Sequence, residues 1–317
     1  HRDSRNLGER DRRPAVLLRE GLRHQRLYAG RQSLRPAGRG GLQEEYVCPA
    51  QQTWIRRRIQ SYPRKTVSSM NSIQQSIARY LQGSGHSYIH LKAVLFDMDG
   101  VLFDSMPYHA DAWHTVMERR GLHLSREEAF LHEGRTGAST INIVYQRQFG
   151  KDATPEMIEE IYAEKSREFN KHPEPERMKG AWELIQKVKS CGLIPVLVTG
   201  SGQTSLLDRL NHNYPDTFDR NHMVTAFDVK YGKPHPEPYL MGLEKAQVAP
   251  NEAIVVENAP IGVQAGVAAG IFTIAVNTGP LDEQVLLNAG ANLLFPSMLA
   301  FNDSWEKVYQ TLQQVSI

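Results

Sequence analysis

The segment Phe96-Asp97-Met98-Asp99-Gly100 sets two carboxylates two residues apart, directly after the apolar run Ala93-Val94-Leu95-Phe96. Along an extended backbone residues i and i+2 point to the same side, so Asp97 and Asp99 share one face where a strand ends. A pair so placed can hold a divalent cation while one carboxylate attacks and the other moves a proton. The spacing alone suits a plain cation site or a solvated strand-end loop equally well.

Three further clusters follow apolar runs. Val198-Thr199-Gly200-Ser201-Gly202 places a hydroxyl and glycines at the mouth of a helix, where backbone N–H groups approach an anionic oxygen closely and Thr199 or Ser201 adds a donor. An ordinary turn capped by Thr or Ser has the same composition. Lys233 lies in Lys230-Tyr231-Gly232-Lys233-Pro234-His235-Pro236, where prolines restrict the backbone and a pinned ammonium can neutralise phosphoryl oxygens as a point charge. In Val255-Val256-Glu257-Asn258-Ala259-Pro260, Glu257 adds a third carboxylate and Asn258 a neutral carbonyl, an oxygen donor set suited to Mg2+.

These clusters need a scaffold that brings strand ends together. Short apolar runs at 93–96, 194–198, 223–226, 253–256 and 272–276, with a short edge run at 293–295, alternate with helical periodicity at 181–190, 205–211, 236–246 and 261–269. Such alternation specifies an α/β fold, a doubly wound parallel sheet whose strands are buried on both faces. Ligands of open sheets of this kind sit beyond the carboxyl ends of the strands, where all four clusters fall. One interval breaks the pattern: 108–120, 125–131, 139–149 and 155–170 are all helical in period, with a capping box at Ser125-Arg126-Glu127-Glu128 and Pro155 at a first helical position. Residues 106–173 are therefore expected to form an inserted helical cap over a core made of 70–105 and 174–317. A rigid helical decoration is the plain alternative.

The chain has 317 residues and a net charge of +2, which conceals an asymmetry. Residues 1–69 carry fifteen Arg and one Lys against six acids, a surplus of ten, so the remainder carries −8. Acids scattered through the basic stretch argue against a transit peptide, and the dispersal of its arginines argues against a nucleic-acid arm. An extension outside the folded part is expected there, with domain reasoning starting near Met70, the first methionine. Only Cys48 and Cys191 occur, so no disulfide framework is expected. No apolar run reaches the ~20 residues of a spanning helix. A cytoplasmic monomer with neither membrane nor nucleic-acid partner is expected.

Acid pair, Thr or Ser, Lys and acid, in that order at successive strand ends, resembles the motif series of the haloacid dehalogenase-like phosphotransferase superfamily. The resemblance runs from Leu91 to the end. Asp97-Met98-Asp99-Gly100-Val101, Asp104-Ser105 with Tyr108-His109, and Glu257-Asn258-Ala259-Pro260-Ile261-Gly262 are similar to its β-phosphoglucomutase-like group. The resemblance implies a haloacid dehalogenase-like Rossmannoid core, Asp97 as nucleophile and Asp99 as general acid and base. It further implies Thr199 and Lys233 on the transferring phosphoryl group, and Mg2+ held by Asp97, Asp99, Glu257 and Asn258. His109, on the first cap helix, is expected to bond the proton-transfer residue or the substrate, with Glu133, Arg135, Gly200 and Ser201 completing the substrate contacts.

Two departures bear on substrate. Where β-phosphoglucomutases carry a lysine in the lid followed by glycine, this chain reads His132-Glu133-Gly134-Arg135, and an anion there repels the second phosphate of a sugar bisphosphate. Asn258 stands where a second acid is common, which lowers the negative potential around a metal. The stretch from His132 to Ser139 also resembles bacterial inorganic pyrophosphatases of the superfamily. The expected function is hydrolysis of inorganic pyrophosphate, a small phosphorylated substrate, through an aspartyl-phosphate. The alternatives are β-phosphoglucomutase or sugar-phosphate phosphatase activity and, third, a non-enzymatic phosphate- or nucleic-acid-binding protein.

Overall fold

Six parallel strands in the order β3-β2-β1-β4-β5-β6 form one sheet: β1 Ala93–Phe96, β2 Ile194–Val198, β3 Met223–Val224, β4 Ala253–Glu257, β5 Phe272–Val276 and β6 Leu293–Phe295. This is the expected doubly wound sheet, seen in a computed structural model that describes residues 70–202 and 206–317. The expected basic extension, 1–69, lies outside the described residues. β1 is central, with Phe96 in register with Leu197 of β2 and Val256 of β4. All its residues are buried because alternate side chains serve two layers. Val94 and Phe96 join a core with Ile185, Trp305 and Leu312, while Ala93 and Leu95 join another with Tyr239 and Leu243.

Eleven α-helices of the described residues connect and cover the strands. α1 is Met70–Ser84; α2 Met106–Arg119, α3 Arg126–Leu131, α4 Gly137–Phe149 and α5 Pro155–Phe169 lie between β1 and β2. α6 Ala181–Ser190, α7 Leu206–Asn213, α8 Glu237–Ala246, α9 Pro260–Ala268, α10 Glu283–Asn288 and α11 Met298–Gln314 complete the set. α1, α10 and α11 go beyond the elements expected from sequence. α1 buries Ile73, Ile77, Tyr80 and Leu81, a one-sided stripe at helical spacing, and Tyr80 donates to the Gly270 carbonyl at 2.8 Å.

The expected strand at 223–226 stops at Val224. Thr225 leaves the ladder because both its N–H and its hydroxyl donate to Asp228 Oδ2, at 2.8 and 2.7 Å, a local turn that competes with strand pairing. The four inserted helices pack their own apolar cluster, which includes Val116, Leu124, Ile141, Val144 and Ile161. Two entries are capped where the sequence sets a capping box and a first-turn proline, Ser125 accepting from Glu128 N–H and Thr154 from Met157 N–H; Thr136, accepting from Ser139 N–H, starts its helix at Gly137, two residues before the expected 139. No helix among the described residues is long and apolar enough to cross a membrane.

Candidate active site

Asp97 is the first residue past β1, and its N–H still donates to the Val256 carbonyl at 3.0 Å, so the ladder fixes where its side chain leaves the sheet. Lys233 reaches it from the loop after β3. The ammonium donates to Asp97 Oδ1 at 2.5 Å, Glu257 Oε1 at 2.7 Å and the Val198 carbonyl at 2.9 Å, which engages all three of its protons. Burial works against the charge of Lys233, yet the carboxylates of Asp97 and Glu257 hold its pKa up at about 12. Burial pushes the Asp97 carboxyl up to about 8 while Lys233 pulls it down; in this pair the shared proton belongs to Lys233, whose two carboxylate neighbours both favour the ammonium.

Glu257 is used four times over. Its Oε1 accepts from Lys233 and from the Tyr239 hydroxyl at 2.8 Å, and its Oε2 accepts from the N–H groups of Asn258 and Ala259 at 3.0 and 3.2 Å. The last two contacts sit where α9 begins, a favourable place for an anion. Gly262 makes room: a Cβ there would fall 1.8 Å from Glu257 Oε1.

Asp99 turns the other way. Its Oδ1 accepts from Ser105 Oγ at 2.6 Å and His109 Nε2 at 3.1 Å, and Lys165 Nζ lies 2.5 Å from His109 Nδ1. With Lys165 donating to Nδ1, the ring carries its proton on Nε2 and donates to Asp99. Burial alone raises Asp99, but His109 first, then Ser105 and Lys165, overcome it and hold the carboxyl at about 2. Burial lowers His109 and brings Lys165 down to about 8.

Glu133, in the turn between α3 and α4, is 6% exposed and faces this acid cluster. Its Oε1 accepts from Asn258 Nδ2 at 2.8 Å. Burial, and then the charge of Asp97, push its carboxyl well above the usual range. Asn258 Oδ1 is buried without a hydrogen-bond partner, a hard oxygen donor held beside Asp97 and Glu133. That orphaned oxygen and the neighbouring carboxylates fit a Mg2+ ion, whereas the oxygens of Glu257 are already engaged. Among the described residues no group of three His, Cys, Asp or Glu is spaced to hold an ion by itself.

A cavity of about 60 Å3 joins these parts, lined by Asp97, Asp99, His109, Glu133, Arg135, Thr199, Gly200 and Ser201 among others. Thr199 is anchored by its N–H to the Val224 carbonyl at 2.9 Å and accepts from Ser201 N–H at 3.0 Å. Every residue expected from sequence is thus at or directly behind one cavity. Lys165 and Tyr162 also line it, and Ser105 and Tyr239 support it by donating to Asp99 and Glu257, none of the four having been singled out for chemistry. Lys165 had a legible signal, because it stands between Ile161 and Phe169 on the buried stripe of α5, where a lysine is out of place.

Comparison with known proteins agrees with this arrangement. Residues 94–276, more than half of the chain, match the family model described as haloacid dehalogenase-like hydrolase. The chain is 35% identical over 188 residues to hexitol phosphatase A of Escherichia coli, covering 59% of this chain and 83% of that protein. It is 34% identical over 209 residues to a phosphorylated carbohydrates phosphatase of Thermotoga maritima, covering 63% and 92%. A solved structure titled putative beta-phosphoglucomutase, from Bacteroides vulgatus, is 65% identical with a TM-score of 0.76, covering 78% of this chain and all of that one. An acid pair after the central strand, a lysine bridging it to a second acid, and a family match spanning β1 to β5 lead to one conclusion: the chain belongs to the haloacid dehalogenase-like hydrolases.

Proposed function

We propose that this chain is a Mg2+-dependent phosphohydrolase in which Asp97 takes up the phosphoryl group. The observation that carries the reading is the buried contact of Asp97 with Lys233 beside the Asp99–His109 pair. An Asp97 oxygen attacks phosphorus, the bond to the leaving oxygen breaks, and Asp99 gives that oxygen a proton. Water then attacks the aspartyl-phosphate, its proton passes to Asp99, and phosphate and free Asp97 result. At about 2, Asp99 is ionised at neutral pH, the form that receives the proton from water; the negative charge of an arriving phosphate raises its proton affinity for the donating step. Asp97 and Asn258 would hold Mg2+, with Glu133 reaching it from the inserted helices; when bound, the ion neutralises phosphoryl oxygens. Thr199 and Ser201 supply donors to the same group. The inserted helices act as a lid whose closure excludes water during the attack on phosphorus.

For the substrate, the site supports inorganic pyrophosphate. Glu133 sets a buried carboxyl at the wall of a small cavity, and a cation arriving with a compact, highly charged substrate would favour its ionised form. The names of the matched relatives favour the second reading, phosphorylated sugars and polyols. Phosphate release from pyrophosphate, hexose phosphates and hexitol phosphates separates the two. Pyrophosphate is expected to give the highest kcat/KM, and far faster turnover of a hexose or hexitol phosphate would replace the first reading with the second. Glu133→Lys is expected to lower pyrophosphate hydrolysis at least tenfold more than hydrolysis of the sugar phosphates; equal loss for all substrates would remove Glu133 as the selecting residue.

A further inference from the structure

Two glycines from different strand ends meet the single turn that carries Glu133. Gly200 follows β2 and Gly232 follows β3. A Cβ built on Gly200 would lie 2.6 Å from the Gly134 carbonyl oxygen and 3.1 Å from that of Arg135. One built on Gly232 would lie 2.7 Å from Thr136 Cγ2. Non-bonded carbons settle at about 3.5–4.0 Å, so a methyl at either place displaces the turn or the loop. Neither glycine has a positive φ, and an alanine fits the backbone at both. What these positions require is the absence of a side chain.

The turn they admit is held tightly. Glu133 Oε1 accepts from Asn258 Nδ2 at 2.8 Å, and Gly134, at φ +84°, lies over Lys233, whose Cδ would be 3.3 Å from a Cβ there. Thr136 couples the turn to α4, since its hydroxyl accepts from Ser139 N–H at 3.3 Å while its methyl faces Gly232. Loops after β2, β3 and β4 therefore converge on residues 133–136.

We propose that Gly200 and Gly232 are positioning residues that set how closely the Glu133 turn seats on the strand ends, and hence where the Glu133 carboxylate stands relative to Asp97. The proposal rests on the phosphohydrolase reading, because the place of Glu133 governs turnover only if chemistry occurs at Asp97. Gly200 also lies on the expected phosphoryl site, which makes Gly232, whose Cβ would meet Thr136 first, the cleaner probe.

The test uses the full chain with Gly232→Ala, alone and with Thr136→Ser, which deletes the opposing methyl and keeps the capping hydroxyl. Gly232→Ala is expected to lower kcat at least about tenfold, since displacements near 1 Å at a reacting centre cost up to 10²-fold. Amide hydrogen exchange at 133–136 is expected to accelerate severalfold. Adding Thr136→Ser should bring both values back to within about twofold of Thr136→Ser alone, a rescue that a general folding defect would not show. Gly200→Ala meets backbone oxygens, so Thr136→Ser should not rescue it. Wild-type kcat and exchange in Gly232→Ala, or a loss that Thr136→Ser leaves unchanged, would overturn the proposal. If Gly232→Ala does not fold, unaltered exchange at 133–136 in Gly200→Ala overturns it equally. If the wild-type chain releases phosphate from none of the substrates, the phosphohydrolase reading fails, and the exchange comparison still decides whether the glycines seat the turn.

Discussion

Lys233 spends every proton on the protein itself, so its first effect is on Asp97, and a phosphoryl oxygen gains a contact only by displacing one of these bonds. Asp97→Asn should therefore abolish turnover while leaving Lys233 paired with Glu257, with thermal unfolding within a few degrees of wild type; residual turnover would exclude Asp97 as the nucleophile. Tyr239→Phe removes one of four donors to a fully buried carboxylate and is expected to cost about 1–1.5 kcal/mol, read from urea unfolding. Legibility at this scale follows position along the chain. Asp97, Thr199 and Glu257 stand at or just past strand ends and Lys233 in the loop after β3, on the side of the sheet where such folds bind ligands, and their order along the chain carries the family resemblance. Ser105, Lys165 and Tyr239 act through contacts that only folding creates, and a tyrosine on an apolar helix reads as core filler until its hydroxyl is found 2.8 Å from Glu257.

Among the elements, the strands at 93–96, 194–198 and 272–276 were legible to the residue because burial on both faces leaves unbroken apolar runs. β3 was overestimated, since the Thr225–Asp228 turn depends on hydrogen bonds that hydropathy does not register. α11 carries Phe301, Trp305, Val308 and Leu312 at helical spacing, a signal present in the sequence but interrupted by buried Asn302. α5 yields a pH prediction. Burial holds Lys165 at about 8 against the ordinary 10.5, so between those values the unfolded chain binds more protons and stability rises with pH. Lys165→Met lacks this rise. Urea midpoints at pH 7.5 and 10 should show wild type gaining on the variant as pH increases, and a constant difference would mean that Lys165 titrates normally.

At the scale of the molecule, the helix α1 belongs to the core although it precedes every motif. A chain starting at Met70 is expected to retain wild-type kcat and melting temperature. Removing 1–84 also takes Ile73, Ile77, Tyr80 and Leu81 out of the core, at about 2–5 kcal/mol for each large side chain truncated, enough to exceed a typical folding free energy. A folded 85–317 fragment would show that α1 is dispensable.

The central place of β1, between strands that come much later in the chain, bears on synthesis. Asp97 precedes Lys233 by 136 residues, and Glu257 follows 24 later. At roughly 5–20 residues per second a ribosome needs on the order of ten seconds to supply them. The inserted helices can settle in that time, because their contacts are local. β1 cannot, for both of its edges await partners and its terminal carboxylate awaits its counter-ion. A partly made chain therefore keeps one edge of β1 unpaired until β4 emerges, and the contacts of Lys233 with Asp97 and Glu257 form only once Glu257 has been made.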